Sequence, residues 1–537
     1  MLSRIYWMHS QIQPYNFLIG VLFNNFYSVT PLCTPSRASF VTGLYPKKTG
    51  AWKNHGQLRK KFKTFANELQ GHTTGYMGKW HLNGKTKSSS DFGDETRKFG
   101  FSNIDFQYNR GHWKYFNQTE DGVKAFQWKD RNKFTQNGVN ETEHYATDFL
   151  FDRAIDFIDK ETKNGNKFAL MLSIADPHDP NAVRPPYDTM FDHFKFRIPK
   201  TARKAMRGNP SLPDWAAIDD FSPELANDQI AEMLSDPTRQ KNMQQIFGMI
   251  KLVDDNIGKL LNYLDQSGLR RNTIVVFTSD HGDLMGEHAR QNKGVPYKTS
   301  AQVPFVISWP GTIRKRRRIE TAYTSVDFAP TILGLMGVKS DIDFDGIDAS
   351  TEVLKRKLIT NNKTQIRFMT DGKKKNWAAA VTNRYKLVLS RDEPWLFDLH
   401  SDPDELQNKF RDPEYPEIGE QLRLALLDAM TKYNFVLKQK SFLPDAPVCW
   451  DSKDEIEGWD NRFCQDLNLP DYSPACEWDF VNATCPRACE GCCEDTVGNV
   501  WLFGAMRTCD EMNTDERFCT QQPAIQFCPK SCGLCDE

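Results

Sequence analysis

The chain has 537 residues, enough for one large domain and smaller additional ones. Hydrophobic residues make up 39% of the chain, so it can form a sizeable core, and its net charge of −1 argues against a general affinity for nucleic acid or anionic membranes. The basic run 314–318 is interpreted as a solvated loop, and the apolar stretch Phe17–Phe23 is too short to span a bilayer. We therefore expect neither a nucleic-acid partner nor a transmembrane segment.

In the first part of the chain, short apolar runs alternate with longer amphipathic stretches, which indicates an α/β fold. Helices are predicted at Tyr145–Lys160 and Met243–Leu264, and buried parallel strands at Phe168–Ile174 and Thr273–Thr278. Both strands end at polar residues, and the carboxyl ends of such strands form the ligand site in open α/β sheets. Residues 195–240 are polar and interrupted by proline, and they are predicted to be an insertion of short helices.

From about Arg367 the pattern changes to short apolar runs followed by one amphipathic stretch. The predicted elements are strands at Trp377–Val381, Tyr385–Ser390 and Trp395–Leu399 and a helix at Ile418–Tyr433. We predict a mixed, mainly parallel central sheet flanked by helices over residues 1–365. A small antiparallel sheet subdomain over residues 366–440 follows, and then the linker Lys438–Val448.

Thirteen cysteines are present, and all but Cys33 lie in the C-terminal tail. Two sets of six have similar spacing: in both, the third and fourth cysteines are nine positions apart and the set ends in C-x3-C-x2-C. The sets are Cys449, Cys464, Cys476, Cys485, Cys489 and Cys492, then Cys493, Cys509, Cys519, Cys528, Cys532 and Cys535. Two disulfide-rich modules are therefore predicted, at residues 449–492 and 493–535. Zinc binding is the competing interpretation, but the tail contains no histidine and no paired C-x2-C knuckles.

Each module resembles the ShK toxin-like (ShKT) domain, in which the first cysteine pairs with the sixth, the second with the fourth and the third with the fifth. Disulfides require an oxidising compartment, so we expect a protein of the secretory pathway, either secreted or lysosome-like. Four N-glycosylation sequons, at Asn117, Asn140, Asn362 and Asn482, agree with this expectation. No signal peptide is visible in residues 1–20, so we expect the start to be misassigned or an upstream exon to be missing.

The lone Cys33 lies in L-C-T-P-S-R-A-S (32–39), followed by T-G-L-Y-P (42–46). Thr34-Pro35 is predicted to start a helix with proline in its first position, which places Cys33 at a helix N-terminus that favours an anion. A buried core cysteine is the alternative. The segment closely resembles the signature of type I sulfatases in the alkaline phosphatase superfamily, whose cysteine is oxidised to formylglycine by a formylglycine-generating enzyme during export.

The resemblance implies covalent catalysis at this residue. One hydroxyl of a hydrated aldehyde attacks sulfur and expels the alcohol, and the other then loses its proton so that the carbonyl re-forms and sulfate leaves. Arg37 would hold the formylglycine oxygens and the ligands of a metal by charge-assisted hydrogen bonds. The expected activity is hydrolysis of sulfate esters, such as those of sulfated glycans.

Further segments match the family's site. Lys79 and His81, in G-K-W-H-L (78–82), would contact formylglycine and sulfate oxygens, and strand alternation predicts that they share one face of an extended segment. His178, after the first predicted strand, matches the family's sulfate-binding histidine. Lys293 is chosen over Lys298 as the last cation, because it lies four residues before an aromatic residue, as in the family pattern.

The metal site is implied by S-D-H-G-D (279–283), which follows the second predicted strand. By resemblance, Asp280, His281 and the residue derived from Cys33 occupy ligand positions for one Ca²⁺ or Mg²⁺, although many members have asparagine in place of this histidine. The alternative to a metal site is that Asp280 is an ordinary strand-end aspartate and His281 has only a structural role. The family also has two adjacent metal-binding aspartates on an N-terminal strand. Here the first aspartate is Asp91, so metal affinity and transition-state stabilisation are expected to fall.

Three hypotheses remain open. The chain is a sulfatase whose N-terminus is incomplete, an inactive sulfatase-like scaffold whose ShKT tail binds a glycan or protein partner, or a phosphoesterase of the same superfamily. The intact C-T-P-S-R segment argues against the third hypothesis.

Overall fold

The structure is a computed structural model. It describes residues 20–85, 92, 99–136, 140–197, 199–205, 236–354, 365–372, 377–390, 394–410, 412, 414–435, 499–502 and 505–508. The chain divides into two compact units, the first formed by residues 1–208, 220–293 and 302–363 and the second by residues 209–219, 294–301 and 364–537. The twelve tail cysteines and the predicted linker lie outside the described residues.

The strands, in chain order, are β1 (Val21–Phe23), β2 (Phe26–Tyr27), β3 (His72–Lys79), β4 (Gln107–Tyr108), β5 (Tyr115–Thr119), β6 (Gly122–Phe126), β7 (Lys167–Ser173), β8 (Val275–Thr278), β9 (Phe305–Ser308), β10 (Arg317–Ile319), β11 (Tyr323–Thr324), β12 (Arg367–Thr370), β13 (Trp377–Val381), β14 (Tyr385–Ser390), β15 (Trp395–Asp398), β16 (Asn499–Leu502) and β17 (Ala505–Thr508). The helices are α1 (Cys33–Thr42), α2 (Pro46–Thr49), α3 (Asn132–Thr135), α4 (Glu141–His144), α5 (Ala146–Lys163), α6 (Lys200–Ala205), α7 (Pro237–Gln266), α8 (Lys298–Ala301), α9 (Phe328–Met336), α10 (Ser350–Leu354) and α11 (Pro416–Tyr433).

The first unit contains a mixed sheet in the order β10-β1-β9-β8 and a parallel sheet in the order β4-β3-β7. Strand β1 is parallel to β10 and antiparallel to β9, and β9 is antiparallel to β8. Strands β3 and β7 pair in parallel along seven residues of each. The predicted α/β class with a mixed sheet is therefore confirmed.

Helices α5 and α7 cover one face of these strands. Both are amphipathic, and Leu150, Phe157 and Leu261 pack with strand residues such as Leu170 and Phe277. The opposite face packs against a second apolar cluster that includes residues of α1 and α9. The two helices predicted from sequence spacing are present, and each extends a few residues further than predicted.

The second unit contains a four-stranded antiparallel sheet in the order β12-β13-β14-β15, together with helix α11. Two of its strands have the bounds predicted from the sequence, and β12 is an additional edge strand. A buried ion pair between Lys386 and Glu405 contacts the segment 294–301. Lys386 Nζ donates to the Pro296 carbonyl at 2.8 Å, and the Lys298 amide donates to Glu405 Oε2 at 2.6 Å.

Among the described helices, none combines the length and the apolar composition that a membrane span requires.

Candidate active site

Cys33 is the first residue of α1, and its side chain is buried. The helix begins after Leu32, whose extended backbone (φ −138°, ψ 150°) turns the chain into the helix, and the Ser36 amide donates to the Leu32 carbonyl at 3.0 Å. Pro35 is the third helical residue rather than the predicted first. The thiol therefore lies at a helix N-terminus, where free amide groups favour a negative charge.

The surroundings of Cys33 are cationic. Its Sγ lies 3.2 Å from His281 Nε2. Burial alone would raise the pKa of this thiol. The positive charges of His281 and Lys79, with hydrogen bonds from His178 and His281, outweigh burial and hold the pKa well below its usual value. The site therefore stabilises an anion at position 33.

Arg37, one turn further along α1, connects the ends of three strands. Its Nη2 lies 2.8 Å from Asp280 Oδ2 after β8. Its Nη1 donates to the Lys79 carbonyl on β3 and to Ser173 Oγ on β7, each at 2.6 Å. These bonds fix the guanidinium, which contacts the candidate metal ligand Asp280.

The G-K-W-H-L segment requires glycine at its first position. Gly78 has φ 92°, and a Cβ there would lie 1.9 Å from the Ser173 carbonyl oxygen, so β3 and β7 approach closely where both enter the site. Lys79 is buried, and its Nζ lies 2.8 Å from His112 Nε2.

The predicted extended geometry does not continue to His81. Strand β3 ends at Lys79, and His81 has φ 63°, because its amide donates to the Asn109 carbonyl beyond β4 at 2.6 Å. His81 Nε2 lies 3.3 Å from His55 Nδ1. Burial lowers the pKa of His81 to about 4, although its hydrogen bond with Cys33 opposes this shift.

His178 follows β7 and lies between the Asp179 carboxylate and the Lys293 ammonium group. Its Nδ1 is 2.5 Å from Asp179 Oδ1, and its Nε2 is 3.2 Å from Lys293 Nζ. Burial would lower the pKa of His178, but hydrogen bonds with Asp179 and Cys33 raise it above the usual value. Lys293 therefore lies beside His178, whereas Lys298 begins α8 in the second unit.

The side chains of Cys33, Asp280 and His281 offer ligand atoms within 4.8 Å of one another. The geometry supports a cation there, but Ca²⁺ takes about six to eight oxygen ligands, and one of these three residues is a carboxylate. Asp280 Oδ2 is already bound to Arg37. These residues supply part of a hard-cation site and do not complete one.

The structure thus brings together all eight residues that were selected from the sequence, namely Cys33, Arg37, Lys79, His81, His178, Asp280, His281 and Lys293. It adds His55, His112 and Asp179, which sequence reasoning missed. Asp179 could have been found from its position next to His178. His55 and His112 lie in loops that carry no recognised motif, and only the fold brings them to the site.

Solved structures with this fold include a protein in complex with its substrate D-glucosamine-2-N,6-O-disulfate. It aligns with a TM-score of 0.60 at 23% identity, covering 79% of this chain and 93% of that one. A phosphonate monoester hydrolase of Agrobacterium radiobacter aligns with a TM-score of 0.59 at 20% identity, covering 79% and 91%. At these identities the likeness shows the fold.

Curated relatives are similar over most of the chain. An uncharacterised sulfatase, YidJ, of Escherichia coli is 27% identical over 443 residues, covering 77% of this chain and 80% of its own length. An N-acetylglucosamine-6-O-sulfatase of Bacteroides thetaiotaomicron is 25% identical, covering 77% and 80%. Arylsulfatase K of Bos taurus is 26% identical, covering 75% and 74%.

Two family profiles match the chain. That of the C-terminal region of N-sulphoglucosamine sulphohydrolase matches residues 286–432. The sulfatase profile matches residues 19–338, more than half of the chain, and includes every residue of the site described above. The chain therefore belongs to the sulfatase family of sulfuric ester hydrolases.

Proposed function

We propose that this sulfatase cleaves sulfate esters at residue 33, after oxidation of Cys33 to formylglycine during export. The observation that supports this most strongly is the convergence of Arg37, Lys79, His178 and Lys293 around a buried thiol at a helix N-terminus. An anionic nucleophile and an anionic ester both require such a cationic surface.

The charge of each side chain determines its proposed role. Lys79 and Lys293 bind the sulfuryl oxygens, and His178, held by Asp179, binds the same group between them. His81 is neutral at pH 7 because burial lowers its pKa to about 4, so it can accept a proton from the group at position 33. Arg37 holds Asp280 against the nucleophile. The formylglycine hydrate supplies an attacking hydroxyl and a second one that releases sulfate.

One Ca²⁺ or Mg²⁺ is proposed beside residue 33, with Asp280 and His281 as protein ligands. The cation would lower the pKa of the attacking hydroxyl. Because the donors present are too few for a hard cation, further oxygen ligands have to come from outside this set.

We propose sulfated glycans as the substrate class. A relative named N-acetylglucosamine-6-O-sulfatase and a structural neighbour in complex with D-glucosamine-2-N,6-O-disulfate support this class. The twelve tail cysteines support export to the compartment where such glycans occur. A glycan or protein partner of the ShKT-like tail is part of the same proposal.

The activity is tested by sulfate release from an aryl sulfate and from glucosamine 6-sulfate, with the matching phosphate esters as the alternative. Enzyme at micromolar concentration keeps slow turnover measurable. We expect sulfate esters to be preferred, and Lys293→Ala to lower kcat/KM about 100-fold because one sulfuryl contact is lost. Lys298→Ala, five residues away, is the matched control and should retain activity. Preference for phosphate esters would contradict the proposal, and equal loss in both variants would contradict the choice of Lys293.

The tail is expected to be two separate disulfide modules. Peptide mapping under non-reducing conditions should find bridges within 449–492 and within 493–535, and no bridge between these ranges. The reason is the repeated spacing, which gives each range a complete set of six cysteines. A bridge across the boundary between Cys492 and Cys493, or one to Cys33, would show that the tail is a single unit or that Cys33 is not kept for catalysis.

A further inference from the structure

His112 lies on a loop that the sequence analysis did not assign to the site. Strand β4 pairs with the end of β3, with Lys79 opposite Tyr108, so the loop that follows β4 starts beside Lys79. Gly111 has φ 110°, and a Cβ there would lie 2.5 Å from the Trp113 indole nitrogen. Only glycine fits this turn, which brings His112 to the carboxyl ends of the strands.

The imidazole of His112 joins two groups of the site. Its Nε2 lies 2.8 Å from Lys79 Nζ, and its ring stacks on His178 with centroids 3.5 Å apart and planes 16° from parallel. An ammonium group has no lone pair, so Nε2 accepts the hydrogen bond and the ring proton is on Nδ1. Burial, with the charge of Lys79, lowers the pKa of His112 to about 2, so the ring is neutral.

The other end of the same loop is anchored to the segment that carries His178. Lys114 Nζ lies 2.6 Å from Asp176 Oδ1, and the two side chains are 1% and 4% exposed. Asp176, two residues before His178, also accepts hydrogen bonds from Tyr145 at 3.0 Å and from Thr147 at 2.8 Å. A buried ion pair with these additional bonds is rigid. The loop therefore connects the ends of β3 and β7.

A metal site is the competing interpretation, because ligand atoms of His112, His178 and Asp179 lie within 4.8 Å of one another. Ring nitrogens of both histidines already have hydrogen-bonding partners, however. Nε2 of His112 accepts from Lys79, and His178 faces Lys293 on one side and Asp179 on the other. Two ammonium groups beside the cluster oppose a cation and favour an anion.

We propose that His112 is a positioning residue that fixes the Lys79 ammonium group and the His178 ring in the arrangement that binds the sulfuryl oxygens. This inference rests on the proposed function, because it assigns that anion to the site. One N–H of Lys79 is used by His112, and the others remain for the anion. The stacked rings of His112 and His178 then set the distance between the Lys79 ammonium group and the pair formed by His178 and Lys293.

The test separates the hydrogen bond from the stacked ring. His112→Gln keeps an acceptor oxygen near the Nε2 position, whereas His112→Phe keeps a flat ring without an acceptor. His72→Gln, at the opposite end of β3, is the matched control. Inorganic sulfate is titrated into each full-length variant by calorimetry, so that the result does not require turnover. We expect His112→Phe to bind sulfate about 10-fold more weakly, the loss typical of a hydrogen bond to a charged group.

His112→Gln keeps the acceptor but loses the stacked ring, so it is expected to bind sulfate more tightly than His112→Phe and more weakly than wild type, whereas His72→Gln should bind like wild type. Equal affinity in His112→Phe and wild type would overturn the positioning role while leaving the proposed function intact. Equal weakening in His112→Phe and His112→Gln would overturn it as well, since the acceptor would then not matter. Absence of sulfate binding by the wild-type chain would overturn the anion site itself, and with it the proposed function.

Discussion

After expression through a secretory pathway, the peptide that contains Cys33 is expected to have lost its thiol and gained an aldehyde. The lone cysteine of the catalytic body lies in C-T-P-S-R, and its anion is stabilised by His281 and Lys79. A plain thiolate or alkoxide that attacked sulfur would leave a stable ester on the enzyme, so turnover requires a second hydroxyl on the same carbon.

Peptide mass spectrometry checks this prediction directly. Cys33→Ala should also lower turnover by at least about 10⁴-fold, the loss typical of removing a nucleophile. Cys33→Ser, which offers an attacking oxygen without the geminal hydroxyl, should release at most about one equivalent of alcohol per enzyme and then stop. An unmodified or disulfide-bonded Cys33 would contradict the assignment, as would sustained turnover by the serine variant.

Much of the fold could be predicted from the pattern of apolar residues along the sequence. Strands β13 and β14 have the predicted bounds because each is a short, mainly apolar run between turn signals. Helices α5 and α7 were recognisable because one apolar stripe on each packs against the sheet. The candidate site residues could be selected from the sequence because they lie in contiguous motifs that follow strands or begin a helix.

Features that depend on tertiary contacts could not be predicted in this way. Alternation placed His81 on an extended strand, but a hydrogen bond to Asn109, distant in sequence, turns it into the left-handed region. His112 reaches Lys79 only because β4 pairs with β3 and the following loop is tied to Asp176. A single histidine in a loop has no periodicity or spacing that would indicate such a role.

Strands β7 and β8 lead into the candidate site and lie at the edges of their described sheets. Within the part of the chain that the structure describes, each pairs with one neighbour, and they do not pair with each other. Their apolar side chains are half-buried, although Leu170 and Phe277 pack against one apolar cluster and Met171 and Val276 against the other. Both strands end at the Cys33 site.

The last expectation follows from this arrangement and from the family's aspartate pair. The 537-residue chain should turn over an aryl sulfate slowly even with added Ca²⁺, and an upstream strand that ends in Asp-Asp should raise the rate. Asp280 and His281 bring one negative charge, whereas a hard cation needs several oxygen ligands. Losing one preorganised electrostatic contact lowers a rate on the order of 100- to 1,000-fold, and losing a ligand pair should lower it at least as much.

The measurement compares the 537-residue chain, the extended chain and an extended chain with Asn-Asn in place of Asp-Asp. The Asn-Asn form separates the carboxylates from the strand that carries them. Equal and substantial turnover by all three would show that other residues complete the site and that the aspartate pair is dispensable.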